Sequence, residues 1–401
     1  MIIKVRSFMV TLLIIMLFLG EIFSTNVEIL KYIDEIACII SLIYIILKIG
    51  LKKTFKDRED RILLILITCV TLIGILGNIT SGIEKKVFYI IVDIISTTKV
   101  IIIYIVIKNF LTPDTAKKVS QNLFIFSKLF LILSAFFGIM SLFKNLGMTG
   151  EVRYGIGGYY FIFKHQHILA IYVMSSLLFV ILNEKKDKKK KMYIILSIIS
   201  QLLTTKGPSI IWCALIIMFS RYYRRRKKIS IIFIVVIVIL SLIIGQYQIN
   251  TYFKNANAPR AILLKYSIIT ANKYFPLGTG FSTYGSEMAW RDYSVLYILY
   301  GFNNLYGMSE NNGAFLNDNY WPMLLGQTGY FGAIIMLFVY IILFRKFQKK
   351  YNDKDIKSVF ISNYVYIMFH SLGSAAITSS AGVFLFITFA ITEKIYTKDE
   401  V

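Results

Sequence analysis

The side chains best suited to chemistry lie in polar segments between long apolar runs of this chain. One segment carries Arg153 beside the glycine-rich stretch Gly155–Gly158, followed by His165 and His167. An arginine guanidinium binds phosphate oxygens through paired hydrogen bonds, and glycines let backbone approach a ligand closely. Histidine readily takes or gives a proton near neutral pH. The segment therefore indicates phosphate binding and proton transfer, with anchoring at a membrane interface as the alternative.

A second polar segment, residues 248–321, is rich in aromatic side chains. Its 74 residues include 16 Phe, Trp and Tyr, a higher share than the 15% of the whole chain. Aromatic faces stack on the C–H faces of sugars, and charged side chains bind sugar hydroxyls, so the composition suits a sugar chain. An aromatic belt at the membrane interface is the alternative. The candidate residues in this segment are Arg260, Gly278, Gly280, Trp290, Arg291, Asp318 and Trp321.

The rest of the chain is apolar enough to place these segments at a bilayer. Hydrophobic residues make up 57% of the 401 residues, and runs of the roughly 17 to 25 residues that cross a hydrocarbon layer recur throughout. We therefore predict an all-α polytopic membrane protein of a single membrane domain, 1–401. The predicted spans cover residues 5–23, 33–50, 62–79, 87–107, 123–143, 166–183, 193–205, 208–220, 229–247, 322–344, 358–376 and 381–397.

Spans seven and eight are the shortest of the twelve and are joined by the segment Thr204–Pro208. They are predicted as two short tilted helices or as one re-entrant hairpin. Lys206 lies in this connection.

The basic residues indicate the orientation of the spans. If both termini are cytoplasmic, the cytoplasmic loops and tails hold 31 Lys and Arg and the opposite side holds 12. This is the positive-inside bias, and it places residues 248–321 outside, as a loop between spans 9 and 10. The same distribution explains the formal charge of +23 by contact with anionic lipid, so we expect no nucleic-acid partner.

Ionisable residues within spans are costly and require partners. Asp93 and Lys99 share the fourth span, where they form a buried pair, part of a transport pathway, or a polar face satisfied by other helices. His370 lies in the eleventh span before small residues, and we expect it to serve helix packing.

The order of the polar motifs resembles the Wzy-type O-antigen and capsular polysaccharide polymerases, in the superfamily that also contains the O-antigen ligases. The resemblance covers spans five to ten, about half the chain. An Arg-x-x-Gly motif and a His-Pro-Asn-like segment correspond to Arg153 and to His165–His167, where Gln and His depart from Pro and Asn. Lys206 stands in a Thr-x-Ser-Arg-Gly-like turn where arginine is common.

Two later motifs complete the resemblance. A Pro-x-Gly-x-Gly turn is present as Pro276, Gly278 and Gly280. The ligases carry a His-Asn pair before the next span, whereas this chain has Asp318 and Asn319 there. That departure favours a polymerase over a ligase and leaves the identity of the base open.

The resemblance implies a substrate, an oligosaccharide repeat unit carried on undecaprenyl pyrophosphate. It places polymerisation on the outer face of a bacterial cytoplasmic membrane, with a flippase and a chain-length regulator as candidate partners. We expect Arg153, Arg260 and Lys206 to stabilise the leaving diphosphate, and Asp318, or else His165, to take the acceptor proton. His167, Arg291, Gly278, Gly280, Trp290 and Trp321 are the remaining predicted substrate contacts.

Neither a metal nor another cofactor is expected, since the sequence has no clustered ligand set. A single displacement needs no protein nucleophile, so the predicted reaction inverts the anomeric carbon. Two other functions stay open: a ligase that transfers finished polysaccharide, and a transporter or flippase of lipid-linked sugar that works through Asp93 and Lys99.

Overall fold

The computed structural model describes residues 2–24, 26–52, 55–225, 258–350 and 353–396. The predicted ninth span, 229–247, and residues 248–257 of the long loop lie outside this part. The helices are α1 Ile2–Phe23, α2 Ile33–Gly50, α3 Arg58–Ser81, α4 Val87–Phe110, α5 Pro113–Phe143, α6 Gln166–Asn183, α7 Asp187–Leu203, α8 Gly207–Arg225, α9 Pro259–Lys273, α10 Glu287–Arg291, α11 Val295–Leu299, α12 Tyr320–Lys350, α13 Lys354–His370 and α14 Ser380–Tyr396. Strands β1, Thr149–Arg153, and β2, Ile156–Tyr159, form a hairpin.

Six of the described helices are long and apolar enough to cross a membrane: α1, α3, α4, α5, α6 and α12. Many of their apolar side chains point away from the protein, as at Ile79, Phe143 and Phe338. Large exposed apolar surfaces of this kind suit lipid and not water. The prediction of an all-α membrane protein is confirmed at this level.

Short connections bring several helix ends to one side of the bundle. Thr112 and Thr115 form a capping box that begins α5 two residues after α4 ends. Asp57 and Asp353 are the N-caps of α3 and α13, and each side chain accepts from backbone N–H in the first turn of its helix. We call this side the tight-turn side.

A buried ion cluster joins four helices at the tight-turn side. Lys108 of α4 contacts Asp57 and Asp60 at 2.5 and 2.7 Å, and Lys346 of α12 contacts Asp60 at 2.5 Å. Glu393 of α14 lies 3.2 Å from Lys108. Each buried charge therefore has opposite charges beside it, as desolvation requires. The cluster therefore holds the ends of α3, α4, α12 and α14 together at the tight-turn side.

The helices differ in length, and this shapes the opposite side. α6, α7 and α13 have 18, 17 and 17 residues, whereas α3, α4 and α5 have 24, 24 and 31. At 1.5 Å per residue, the short helices are roughly 9 Å or more shorter than the long ones. We use the name recess for the region opposite the tight-turn side that holds the start of α6 and the ends of α7 and α13.

α12 folds back on itself at Gly329, whose φ of 61° and ψ of −168° are not helical. The hydroxyls of Tyr320 and Tyr340 lie 2.9 Å apart, although 20 residues of straight helix would separate them by about 30 Å. The predicted span 322–344 is therefore wrong at its start, because 320–328 is a short helix that packs against the helix after Gly329. A continuous apolar pattern does not reveal such a reversal.

The described part of the long loop has a small core of its own. Tyr284, Tyr293, Tyr297 and Phe302 pack there with Leu263 of α9, apart from the core of the bundle. This part of the loop is thus a packed unit, and Tyr284, Tyr293, Tyr297 and Phe302 are used in its core.

The turn Pro276–Ser282, here called the anchor turn, ties the loop to the bundle. Asn78 of α3 donates to the Phe281 carbonyl and accepts from the Phe281 N–H, both at 2.8 Å. Asp93 of α4 accepts from the Ser282 N–H at 2.5 Å and from Gln327 Nε2 at 2.7 Å. Asp93 therefore has structural partners, which favours the polar-face hypothesis over a transport pathway.

Lys99 is satisfied separately from Asp93. Its Nζ lies 2.5 Å from carboxylate oxygens of both Asp34 and Glu35 on α2. The two charged residues of the fourth predicted span thus face different partners and do not form a pair with each other.

Replacing Gly280 with alanine is expected to destabilise the protein far more than the same change at Gly301. Both glycines have positive φ, 91° and 71°, which costs an alanine about 1–2 kcal/mol. A Cβ at Gly280 would lie 2.3 Å from the Asn78 nitrogen, whereas Gly301 faces open space. Thermal unfolding of the purified variants in detergent measures the difference, and equal melting temperatures would contradict the close packing of the anchor turn.

Candidate functional site

The β-hairpin holds Arg153 in a fixed position. Arg153 pairs with Ile156 across a two-residue turn in which Tyr154 and Gly155 have φ of 53° and 78°, as in a type I′ turn. Glu151 Oε2 accepts from Arg153 Nη2 at 2.6 Å, and the arginine side chain is only 9% exposed. The glycine-rich stretch therefore serves the turn, and the Arg153 side chain is largely buried beside it.

The hairpin rests on the turn between α7 and α8, which carries Lys206. A Cβ at Gly158 would lie 3.0 Å from Thr205 Oγ1 and 3.2 Å from the Thr204 carbonyl. This close approach brings Arg153 towards Lys206, and Thr205 has a φ of 53° in the tight connection. α7 and α8 are thus two separate helices joined at the recess.

Arg260 and Asp318 meet from opposite ends of the long loop. Arg260 lies in the first turn of α9, and its Nη2 is 3.6 Å from Asp318 Oδ2. Asn319 Nδ2 donates to the Arg260 carbonyl at 3.4 Å, just before α12 begins. Both side chains of the pair keep partial exposure, 28% and 35%, and remain accessible to a ligand.

Lys206 lies under the influence of both arginines. Burial, the charge of Arg153 and, more weakly, that of Arg260 lower the pKa of Lys206 to about 8, against the opposing charges of Glu151 and Asp318. We call Arg153, Lys206 and Arg260 the cationic cluster. Three cations facing two carboxylates leave a positive site that favours an anion such as a diphosphate.

The two candidate bases lie beside this cluster. Burial raises the pKa of Asp318, opposed by Arg260, His165 and Lys206. Partial burial and the charges of Lys206 and Lys164 lower the pKa of His165, which is therefore neutral at pH 7. A neutral imidazole can accept a proton, and a raised pKa makes the carboxylate form of Asp318 a stronger proton acceptor.

His370 joins the site, which its position in the sequence did not suggest. The rings of His165 and His167 stack at 5.5 Å, and His370 lies 5.4 Å from His167 at the end of α13. His370 Nε2 is buried and has no hydrogen-bond partner among the described residues. All three histidines of the chain thus meet, and their scarcity was the one signal that could have linked His370 to the others.

The remaining residues predicted to contact substrate are bonded to, or packed against, other parts of the protein. Arg291 pairs with Glu287 on the exposed face of α10 at 2.6 Å, and Trp290 Nε1 donates to the Glu310 carbonyl at 3.4 Å within the loop. Gly278 and Gly280 are packed in the anchor turn. Their roles in binding substrate stay predictions, whereas Trp321 lies close to the cluster and donates to Ser371 Oγ at 2.9 Å.

The arrangement can bind an anion and accept a proton from a nearby nucleophile. Across the described ranges, no group of three or more His, Cys, Asp or Glu side chains is arranged to hold a metal ion. The charged groups that act on Lys206 are Arg153, Arg260, Glu151 and Asp318, and His165 lies beside them.

Substrate affinity is expected to fall as the pH rises through about 8, where Lys206 loses its proton. The group binds an anion only when charged, so the apparent KM for an anionic donor should rise about tenfold between pH 7 and pH 9. Lys206→Arg stays charged and should flatten this rise, whereas Lys164→Arg should not. A steady-state pH series on the three proteins checks this, and identical profiles would contradict the role of Lys206.

Comparison with known proteins adds no relative. No family model matches the chain. No curated protein and no solved structure matches it either.

Proposed function

We propose that this protein is a polysaccharide polymerase that joins lipid-linked oligosaccharide repeat units. One observation carries the proposal: three cations from separate segments, Arg153, Lys206 and Arg260, gather beside a partly exposed carboxylate, Asp318, on the side of a membrane protein that lies opposite the tight turns. An anionic leaving group attached to a membrane lipid fits these charges and this location. The resemblance to the Wzy-type polymerases supplies undecaprenyl pyrophosphate as the carrier.

The proposed reaction is one displacement. A hydroxyl of the incoming lipid-linked unit attacks the anomeric carbon of the growing chain, and the bond from that carbon to the diphosphate oxygen breaks. Asp318 takes the hydroxyl proton, and the lipid diphosphate leaves with the bond electrons. The cationic cluster stabilises the charge that develops on the leaving oxygens, which is the main demand because a diphosphate is already a good leaving group.

The proposal includes a topology. Twelve spans with both termini in the cytoplasm of a bacterium put the tight-turn side inside and the recess on the outer face. Lys185–Lys191 and the other basic loops then face anionic lipid of the inner leaflet. The recess receives substrate only after a flippase has moved it outward.

The same framework suits a ligase, and a transporter is the candidate from another class. The hydrogen bonds of Asp93 to Ser282 and Gln327 support a structural role for the residue on which a transport pathway would depend. Asp318, where the ligases have histidine, supports the polymerase over the ligase.

Cells that lack the protein test the three functions together. We expect single repeat units on the lipid carrier, accessible from outside, and their conversion to a ladder by the purified full-length protein in proteoliposomes. Accumulation of finished lipid-linked polymer would identify a ligase. Repeat units inaccessible from outside would identify a flippase.

A further inference from the structure

An open apolar groove runs between α12 and α13 beside the site. It has a volume of about 550 Å³, within the range of about 300–1,000 Å³ usual for ligand sites. Its walls include Leu337, Tyr340, Val365, Met368 and Leu372, with Trp321 at one end. Leu337 and Leu372 are 48% and 55% exposed, so the groove opens towards the surrounding lipid.

The polar atoms of the groove walls are already satisfied within the protein. The Tyr340 hydroxyl contacts that of Tyr320 at 2.9 Å, and the Tyr364 hydroxyl donates to the Tyr340 carbonyl at 2.6 Å. Trp321 Nε1 donates to Ser371 Oγ. An occupant therefore needs no hydrogen-bonding groups, and a hydrocarbon chain fits this surface better than a sugar or a peptide backbone.

One end of the groove lies against the cationic cluster. A Cβ at Gly373 would lie 3.7 Å from Arg260 Nη1, and the neighbouring Leu372 lines the groove. On the other wall, Trp321 follows Asp318 and Asn319, which contact Arg260. A lipid with its diphosphate at Arg260 can thus lay its chain directly in the groove.

We propose that this groove holds the first isoprenoid units of the donor lipid, whose diphosphate lies on Arg260. The inference rests on the proposed function and assigns to the donor, and not to the acceptor, the side of the site that α12 and α13 form. The donor then enters sideways from the bilayer, and after transfer the lipid diphosphate leaves by the same opening.

The chain offers a matched control groove. A second apolar groove of about 340 Å³ lies between α1, α2 and α4, with Met16, Ile36 and Ile40 on its walls. Residues of the cationic cluster do not line it. Hydrocarbon affinity alone would fill both grooves, whereas the proposal requires selectivity for the groove beside Arg260.

The test uses full-length protein in nanodiscs and an undecaprenyl diphosphate with a photoreactive diazirine in its first isoprenoid units. We expect labelled peptides from α12 and α13, competed by unlabelled undecaprenyl diphosphate and not by phosphatidylglycerol. Val365→Trp or Leu372→Trp should lower this labelling at least about tenfold, roughly the loss of two buried methylene groups. Ile40→Trp should leave it unchanged.

The variants separate the two proposals. Normal labelling in both tryptophan variants, or labelling elsewhere in the chain, would overturn the groove assignment. If Arg260→Ala then still abolishes polymerisation, the proposed function stands without the groove. If Arg260→Ala neither weakens labelling nor slows polymerisation, the diphosphate site itself is wrong.

Discussion

Cells whose only copy of the protein carries Arg260→Ala will contain single lipid-linked repeat units in place of long polysaccharide. Arg260 pairs with Asp318 at 3.6 Å and is one of the cations that lower the pKa of Lys206. The substitution removes a fixed positive charge that faces the leaving group. It also removes the ion-pair partner of Asp318, the proposed base. Removal of one such electrostatic contact costs about 10²–10³-fold in rate.

Two further variants serve as controls for Arg260→Ala. Arg260→Lys keeps the charge and loses the planar fork, so we expect chains of intermediate length. Lys265→Ala removes an exposed cation from the same helix, α9, and should leave chain length normal. Gel analysis of the polysaccharide, with membrane abundance checked by immunoblot, measures all three. Normal long chains in the alanine variant would remove Arg260 from the mechanism.

Asp318→Asn is expected to lower turnover by about 10²–10⁴-fold while leaving donor binding nearly intact. The amide keeps the volume of the side chain and its contact with Arg260, but it cannot accept the acceptor proton. Burial raises the pKa of the Asp318 carboxyl. The wild-type rate should therefore fall as the pH drops through that raised pKa, where the carboxylate is protonated, and the variant should lack this acidic limb.

Kinetics in proteoliposomes decide between Asp318 and His165 as the base. A loss of kcat at constant KM in Asp318→Asn, with a smaller loss in His165→Gln, is the expected order. The reverse order would assign the base to His165. A rise in KM with unchanged kcat would show that Asp318 positions Arg260 and takes no proton.

Residue chemistry singled out, from the sequence alone, five residues that the structure brings near one another. Arg153, His165, Lys206, Arg260 and Asp318 lie in three polar segments between apolar runs, and such segments gather at the ends of membrane helices. The long apolar runs similarly predicted an all-α membrane protein, because a bilayer leaves few other ways to satisfy backbone hydrogen bonds.

What the sequence did not reveal depends on contacts between distant residues. The reversal of α12 depends on Gly329, a single glycine in an apolar run. From the sequence, the anchor turn was predicted to contact substrate. In the structure, Gly280 of this turn packs against Asn78. His370 becomes part of the site because α13 ends beside His167, and the loop that a helix end meets is a tertiary property.

The anchor turn also limits how the protein can be re-engineered. The turn belongs to the loop, but its hydrogen-bond partners are Asn78, Asp93 and the backbone carbonyl of Gln327, which belong to α3, α4 and α12. A chimera that grafts a foreign loop to change sugar preference would replace the anchor turn but keep the helix residues to which the turn is hydrogen-bonded. Chimeras should therefore carry these three positions with the loop, and an excised loop would lack the surface on which its own turn is folded.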